Sequence, residues 1–411
     1  MKKLVVDGGA PLSGSVNIRG SKKSVLALIS AALLANEPCV IENVPKLKDV
    51  DNYLYQLRQF GVESKYLEPS TLMINPVSIL EKEVFLTQNL LHPSYISLLG
   101  TLLGRYPSFV IEKPSFSLDH HLKGFSALGA KIEQHDQYLR FHAPQLAGST
   151  IYLDTNDPAI ATNLMLAAVR AIGTTVLRNA PKDPEVIDLA MFLSAMGASI
   201  RGAGTDTIRI EGTHSLRGCH HTVIPDRLEA GIYMILAAAT GGTIEVDQII
   251  PHHVKPISAK LREMGVEITE NEETVIVSGT RNHYTSIDIK TLPYPGFPIE
   301  LAQPFLTLLT QATGTSLITS SLSSNTFPLV DLLNKMGANI KVVGQSIMIQ
   351  GPTQLVGQEV MVHEPASAVA LLIAALISAK QTTLIGYEAL EKHHDRLLEN
   401  VSNLGATFQI K

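Results

Sequence analysis

The sequence has 411 residues, with 33 Lys and Arg against 38 Asp and Glu, for a formal net charge of −5. That length suggests two domains, and 45% hydrophobic with 17% charged residues excludes disorder as the main state. The mildly acidic balance argues against a nucleic-acid partner, and two cysteines, Cys39 and Cys219, with no CxxC exclude a disulfide framework.

The chain begins Met1-Lys2-Lys3, but only Leu4-Val5-Val6 precede Asp7, which is too short for a signal peptide. Six segments rich in small and apolar residues follow: Lys22–Ala35, Ser94–Arg105, Ala159–Ala171, Arg227–Thr240, Glu300–Thr313 and Ala366–Lys380. Each reads as a helix that is apolar nearly all round, and hence buried. The most apolar run, Ala366 to Ala379, falls short of the ~20 residues that span a bilayer. The expectation is a cytoplasmic protein with no membrane contact.

After each buried helix comes a short strand, such as Cys39–Glu42 or Thr175–Arg178, and then an amphipathic helix. The stripe Val186-Leu189-Phe192-Leu193-Met196 shows the helical spacing. Every amphipathic helix ends in glycine followed by a small or β-branched residue: Gly61, Gly129, Gly197, Gly265, Gly337 and Gly405. These glycines are spaced by 68, 68, 68, 72 and 68 residues. A glycine just past a helix takes the left-handed conformation that ends it. Alternating stretches follow, as in Ser199–Arg201 and Thr207–Ile210, and read as a β-hairpin.

The sixth unit ends early, with only Ala406–Lys411 after its glycine. Lys3–Gly8 resembles Thr207–Gly212, so the N-terminal strand is expected to close the last unit. The expected organisation is α/β, with six strand-helix-strand-helix-hairpin repeats, three per domain. One domain covers 9–225; the other combines 1–8 with 226–411.

Six such repeats in two domains resemble the enolpyruvyl transferases, whose fold is a two-domain inside-out α/β barrel. The resemblance is to the branch acting on UDP-N-acetylglucosamine. It rests on Ile41–Asp51, Asp183-Pro184-Glu185, Gly202–Asp206, Ile224–Gly231 and Pro295-Gly296-Phe297-Pro298. It implies transfer of an enolpyruvyl group from phosphoenolpyruvate to a sugar hydroxyl in cell-wall precursor synthesis, with release of phosphate. It implies small anionic substrates in an interdomain cleft, no cofactor, no metal and a monomer. Such chemistry needs cations for polyanionic substrates, an acid near the alkene and a base for the hydroxyl.

By the same resemblance, Lys22 and Glu300 are the catalytic candidates, with Glu300 where the family has its base aspartate. Lys23, Lys48, Asp119, His121 and Arg227 are the substrate-binding candidates. For Glu300 the plainer reading is a carboxylate favourable to a helix N-terminus.

Other positions depart from the family pattern. The segment Ile111–Ser117 is short and has no cysteine, and Phe116 stands where the loop arginine would be. Arginines are also missing at His92-Pro93-Ser94, Asn325-Thr326-Phe327, His363-Glu364-Pro365 and Ile385. The family's Ser-Val-Gly reads Asp157-Pro158-Ala159. Two alternatives therefore stay open: a catalytically inactive paralogue with a binding or regulatory role, and an enzyme with a less anionic substrate.

The histidine pairs His120-His121, His220-His221, His252-His253 and His393-His394 have no metal-ligand spacing and read as surface residues, apart from the family match at His121. Cys39 reads as a small buried hydrophobe, and Cys219 as the one candidate reactive thiol.

Overall fold

The computed structural model describes residues 2–76, 84–87, 92–280, 283–319, 327–362 and 364–411. Contacts divide the chain into two compact units, Gly20–Ile224 and Met1–Arg19 with Pro225–Lys411, here the central and the terminal unit. Each holds three four-stranded sheets and its own hydrophobic core.

The third repeat shows the pattern. Strand Thr150–Tyr152 leads into buried helix Pro158–Ala168 and then strand Thr174–Arg178. Helix Pro184–Ala195 follows, then the hairpin Ser199–Arg201 and Thr207–Glu211. The first two strands pair in parallel, and both pairings that include Thr207–Glu211 are antiparallel. The register aligns Ile151, Leu177 and Ile208 on one buried row. Period-two alternation thus supplies an apolar face against which the helices pack.

The amphipathic helices end as the glycine spacing requires. At Gly197, φ is 106°, and a Cβ there would meet nothing within 4 Å, so backbone conformation alone selects glycine. Its N–H donates to Ser194 O at 2.9 Å, and the next N–H, of Ala198, donates to Leu193 O at 2.9 Å. This paired closure satisfies carbonyls left open by the last helical turn. The same two bonds recur at Gly61, Gly129, Gly265, Gly337 and Gly405.

Buried helix Arg227–Thr240 has the bounds expected from sequence, and the other five are shorter than expected. The first is Lys22–Ala32; Leu34 and Ala35 continue it with tighter bonds to Ala31 O and Ala32 O. The second begins at Leu98, after a 3₁₀ turn over Pro93–Tyr95. The fifth is a 3₁₀ turn, Ile299–Leu301, followed by Ala302–Leu309. Pro304 fits its first turn, where no N–H is needed. The apolar run near the C-terminus forms buried helix Pro365–Ile377. Among the described residues, no helix is long and apolar enough to cross a membrane.

Strand Lys3–Asp7 lies between Thr382–Ile385 and Thr407–Ile410, with Val5 opposite both Thr383 and Gln409. The chain start therefore supplies the missing hairpin strand of the sixth repeat.

The domain boundary needs a correction. Residues 9–19, expected in the first domain, belong to the terminal unit. Strand Gly14–Asn17 lies just before helix Lys22–Ala32, yet it pairs in parallel with Thr243–Asp247, Val16 opposite Val246. Reciprocally, His220–Thr222 lies just before helix Arg227–Thr240 but pairs with Cys39–Glu42, His221 opposite Ile41. The two lead strands are exchanged, so the chain passes between units at Arg19/Gly20 and at Ile224/Pro225.

Candidate functional site

In the central unit, Lys22 is the first residue of its helix, and Ser21 caps that helix by accepting from Ser24 N. The approach is tight: Gly20 N–H donates to Asn43 O at 3.1 Å, and a Cβ on Gly20 would sit 2.1 Å from that oxygen. Asn43, at φ 58°, donates through Nδ2 to Val223 O at 3.0 Å. The lysine leaving this turn meets Asp49: Lys22 Nζ and the Asp49 carboxylate form an ion pair. Asp49 is buried in the first turn of helix Lys48–Gln59, where a carboxylate suits the helix dipole. Tyr95 Oη donates to Asp49 O at 2.9 Å and stacks on Tyr53 with ring centroids 4.6 Å apart. Lys22 is thus partly enclosed and aimed by a buried partner, while Lys23 and Lys48 are exposed.

Two residues further on, the first helix is pinned by a second carboxylate. Ser24 Oγ donates to Asp188 Oδ2 at 2.6 Å, and Asp188 Oδ1 lies 2.7 Å from His221 Nε2. His221, expected at the surface, is mostly buried and packs edge-on against Phe192. It follows the exposed His220 on the exchanged strand, so strand alternation turns the second histidine inward.

His121, set apart from the other histidines by the family match, is buried as well. It lies in helix Asp119–Ala127, buried, with Nδ1 3.1 Å from Asn163 Nδ2. An amide Nδ2 can only donate, so Nδ1 accepts. Asn163 Oδ1 accepts from Gly100 N–H at 2.7 Å, which fixes the amide. Burial drives the His121 pKa down to about 4, so the ring is neutral near pH 7. Asp119 is exposed and closed on itself locally, with Ser117 Oγ donating to Oδ2 at 2.8 Å. Phe116 packs on the core.

At Asp157-Pro158-Ala159 the helix start carries its own anion: Asp157 Oδ1 accepts from Ala159 N–H at 2.8 Å, and Pro158 has no N–H to offer.

In the terminal unit, Arg227 opens helix Arg227–Thr240 and is buried, its guanidinium 5.1 Å from the Tyr294 ring centroid. The stacked cation holds the segment that leads to Glu300. Glu300 itself is exposed, in the 3₁₀ turn Ile299–Leu301. Asp226 caps the helix, accepting from Leu228 N at 2.9 Å and Glu229 N at 3.1 Å. Burial, with the nearby Asp226 and Asp395 carboxylates, pushes Glu229 well above the usual carboxylate range. Asn400 Nδ2 donates to Tyr233 Oη at 2.9 Å on the same helix.

Sequence reasoning did not find Ser24, Asp188, Asn163, Tyr294 or Glu229 as site neighbours. The available signal was small: polar residues at positions where the helical stripe calls for apolar ones. Asn325, Thr326 and His363, where arginines were expected, lie outside the described residues. Among the described residues, no group of three His, Cys, Asp or Glu is placed to hold a metal ion.

Six such repeats, three in each unit, define an enolpyruvyl-transferase fold. The chain belongs to the EPSP synthase (3-phosphoshikimate 1-carboxyvinyltransferase) family, whose sequence pattern matches residues 6–89 and 117–400. It is 42% identical, over 99% of its length and 96% of the relative's, to UDP-N-acetylglucosamine 1-carboxyvinyltransferase 2 of Bacillus cereus (strain ZK / E33L). The protein of that name from Bacillus subtilis (strain 168) is 40% identical, with the same coverage. Among solved structures, the enolpyruvyl transferase NikO from Streptomyces tendae superposes with a TM-score of 0.90 at 23% identity, covering 100% of this chain and 99% of its own. EPSP synthase from Acinetobacter baumannii gives 0.81 at 18% identity, covering 100% of both. At those identities the structures speak for the fold alone.

Proposed function

We propose that this protein transfers the enolpyruvyl group of phosphoenolpyruvate to UDP-N-acetylglucosamine, releasing phosphate, in cell-wall precursor synthesis. The observation that carries the reading is the 40–42% identity, over 99% of the chain, to relatives named for 1-carboxyvinyl transfer to that sugar nucleotide.

In this reading Lys22 is the central cation. Its pairing with the buried Asp49 holds the ammonium in place before an anion arrives, which lowers the ordering cost on binding. Lys23 and Lys48 add exposed positive charge that steers a polyanion. Glu300, exposed at the start of its helix, takes the proton of the sugar hydroxyl. Arg227 supplies a fixed cation in the terminal unit. His121, neutral and locked by Asn163, offers a directed N–H from Nε2 and no charge. Asp119 is the remaining polar contact. The reading includes a cytoplasmic monomer, in keeping with the sparse cysteines.

The test is phosphate release from phosphoenolpyruvate in the presence of UDP-N-acetylglucosamine, run alongside calorimetric titration of each ligand. Turnover that depends on both substrates and is lost in Lys22→Ala is the expected result. Tight binding of either ligand with no phosphate release would overturn it in favour of a non-catalytic binding protein. The cysteine-free segment Ile111–Ser117 would then explain the lost chemistry; the family pattern leaves residues 90–116 unmatched.

A further inference from the structure

The chain's two cysteines are 180 positions apart in sequence and neighbours in space. Strand His220–Thr222 pairs in parallel with Cys39–Glu42, His220 opposite Val40. One step back along that register, Cys219 lies beside Cys39. Val40 N–H donates to Cys219 O at 2.8 Å, so the backbones are locked together at the pair. In a parallel pair, register neighbours point to the same face. Cys39 is fully buried in the central core, and Cys219 is partly buried against that core.

The turn before the pair is fixed as well. Gly218 N–H donates to Glu37 Oε2 at 3.2 Å, and a Cβ on Gly218 would sit 2.1 Å from Pro38 O. Each thiol acts on the other, which holds Cys39 below the ordinary thiol pKa and Cys219 above it.

We propose that Cys39 and Cys219 are a site of reversible oxidative modification, a disulfide that staples the exchanged strand to its sheet. The strand it would hold is only three residues long and lies at a sheet edge, and two residues beyond it the chain passes to the other unit. Such a strand rests on few backbone bonds, so a covalent link there changes the local opening equilibrium more than it would in a central strand.

The oxidant is a low-molecular-weight disulfide. The partly exposed Cys219 is the sulfur that meets it; its proton passes to the Cys39 sulfur as Cys219 attacks, forming a mixed disulfide and releasing one small thiolate. Cys39 thiolate then attacks Cys219 Sγ; the Cys39–Cys219 bond forms and the mixed disulfide breaks. The second small thiol leaves. The two protein thiol protons end on the two released thiols, and the small disulfide is the species reduced. Burial of Cys39 makes it the resolving partner, and the preset backbone keeps both sulfurs in place. An excess of small thiol reverses the sequence.

The test uses the full-length protein in oxidised glutathione, quenched with an alkylating agent under denaturing conditions. The expected result is loss of both alkylation sites in intact-mass measurement, and a proteolytic peptide pair joining Cys39 to Cys219. The oxidised protein should resist proteolysis around 215–225 at least several-fold longer than the reduced protein, and dithiothreitol should abolish the difference. Cys219→Ala should remove the cross-link, leave Cys39 alkylated, and show no redox dependence of proteolysis. Two fully alkylated thiols after oxidation, or a glutathione adduct that persists on Cys219 with Cys39 still alkylated, would overturn the proposal. A cross-link with unchanged proteolysis would overturn the stapling effect.

Discussion

Asp188 Oδ1 lies 2.7 Å from His221 Nε2, joining a buried helix position of the third repeat to the exchanged strand of the first sheet. The other oxygen of the carboxylate accepts a hydrogen bond from the Ser24 hydroxyl, so both oxygens serve elements far apart in sequence. Asp188→Ala should leave two buried polar partners unsatisfied and destabilise the central unit by roughly 2–4 kcal/mol. Urea unfolding checks this through a lower midpoint at similar slope. A change within about 0.5 kcal/mol would mean that water or a rearranged side chain replaces the carboxylate.

Lys22→Ala should weaken binding of phosphoenolpyruvate, or of inorganic phosphate as a simpler probe, by about tenfold or more. It removes the ammonium and also strips Asp49 of its opposing charge, leaving a buried carboxylate that repels an incoming anion. Cys219→Ser should leave that affinity unchanged. Binding should fall with added salt, because Lys23 and Lys48 are exposed and readily screened. Isothermal titration at two ionic strengths measures all three effects; salt-insensitive micromolar binding would assign the grip to other residues.

Acid should destabilise the protein through His121. The folded-state pKa is about 4 and the ordinary value 6.5, so between those values the unfolded chain binds the proton more readily. The stability contribution is complete above about pH 6.5 and is lost as pH falls toward 4, on the order of 3 kcal/mol over the window. His121→Gln should flatten that part of a stability-against-pH curve while lowering stability at pH 7 by less than the acid loss. An unaltered acid limb in the variant would show that other groups carry the dependence.

The resemblance to the UDP-N-acetylglucosamine branch implies a loop cysteine that fosfomycin alkylates, but Ile111–Ser117 offers no thiol. Incubation with the drug and UDP-N-acetylglucosamine should leave the intact mass unchanged. An adduct mapped to that segment would require another nucleophile, of which Ser115 and Ser117 are the hydroxyls present.

The sequence by itself determined the repeat and its chemistry of termination. Glycine after each amphipathic helix is a local requirement: the left-handed turn at φ 106° for Gly197 is costly for any residue with a Cβ, so the spacing is written into the chain. The same is true of the N-terminal strand, whose alternation matches the hairpin strand it replaces. Lys22 was singled out through the family resemblance and not through its local pattern.

Only the tertiary structure decided which partner each lead strand takes. Gly14–Asn17 and His220–Thr222 are four and three residues long, and strand pairing is made by backbone groups that every residue carries. Nothing local tells either segment to bypass the helix that follows it; the choice is settled by the packing of whole units. The burial of His121 and His221, the Asp188 hub and the meeting of Cys39 with Cys219 follow from that packing. A side chain's environment is set by residues far away in sequence, 180 positions for His220 and Val40, while its local pattern reports only on its own helix or strand.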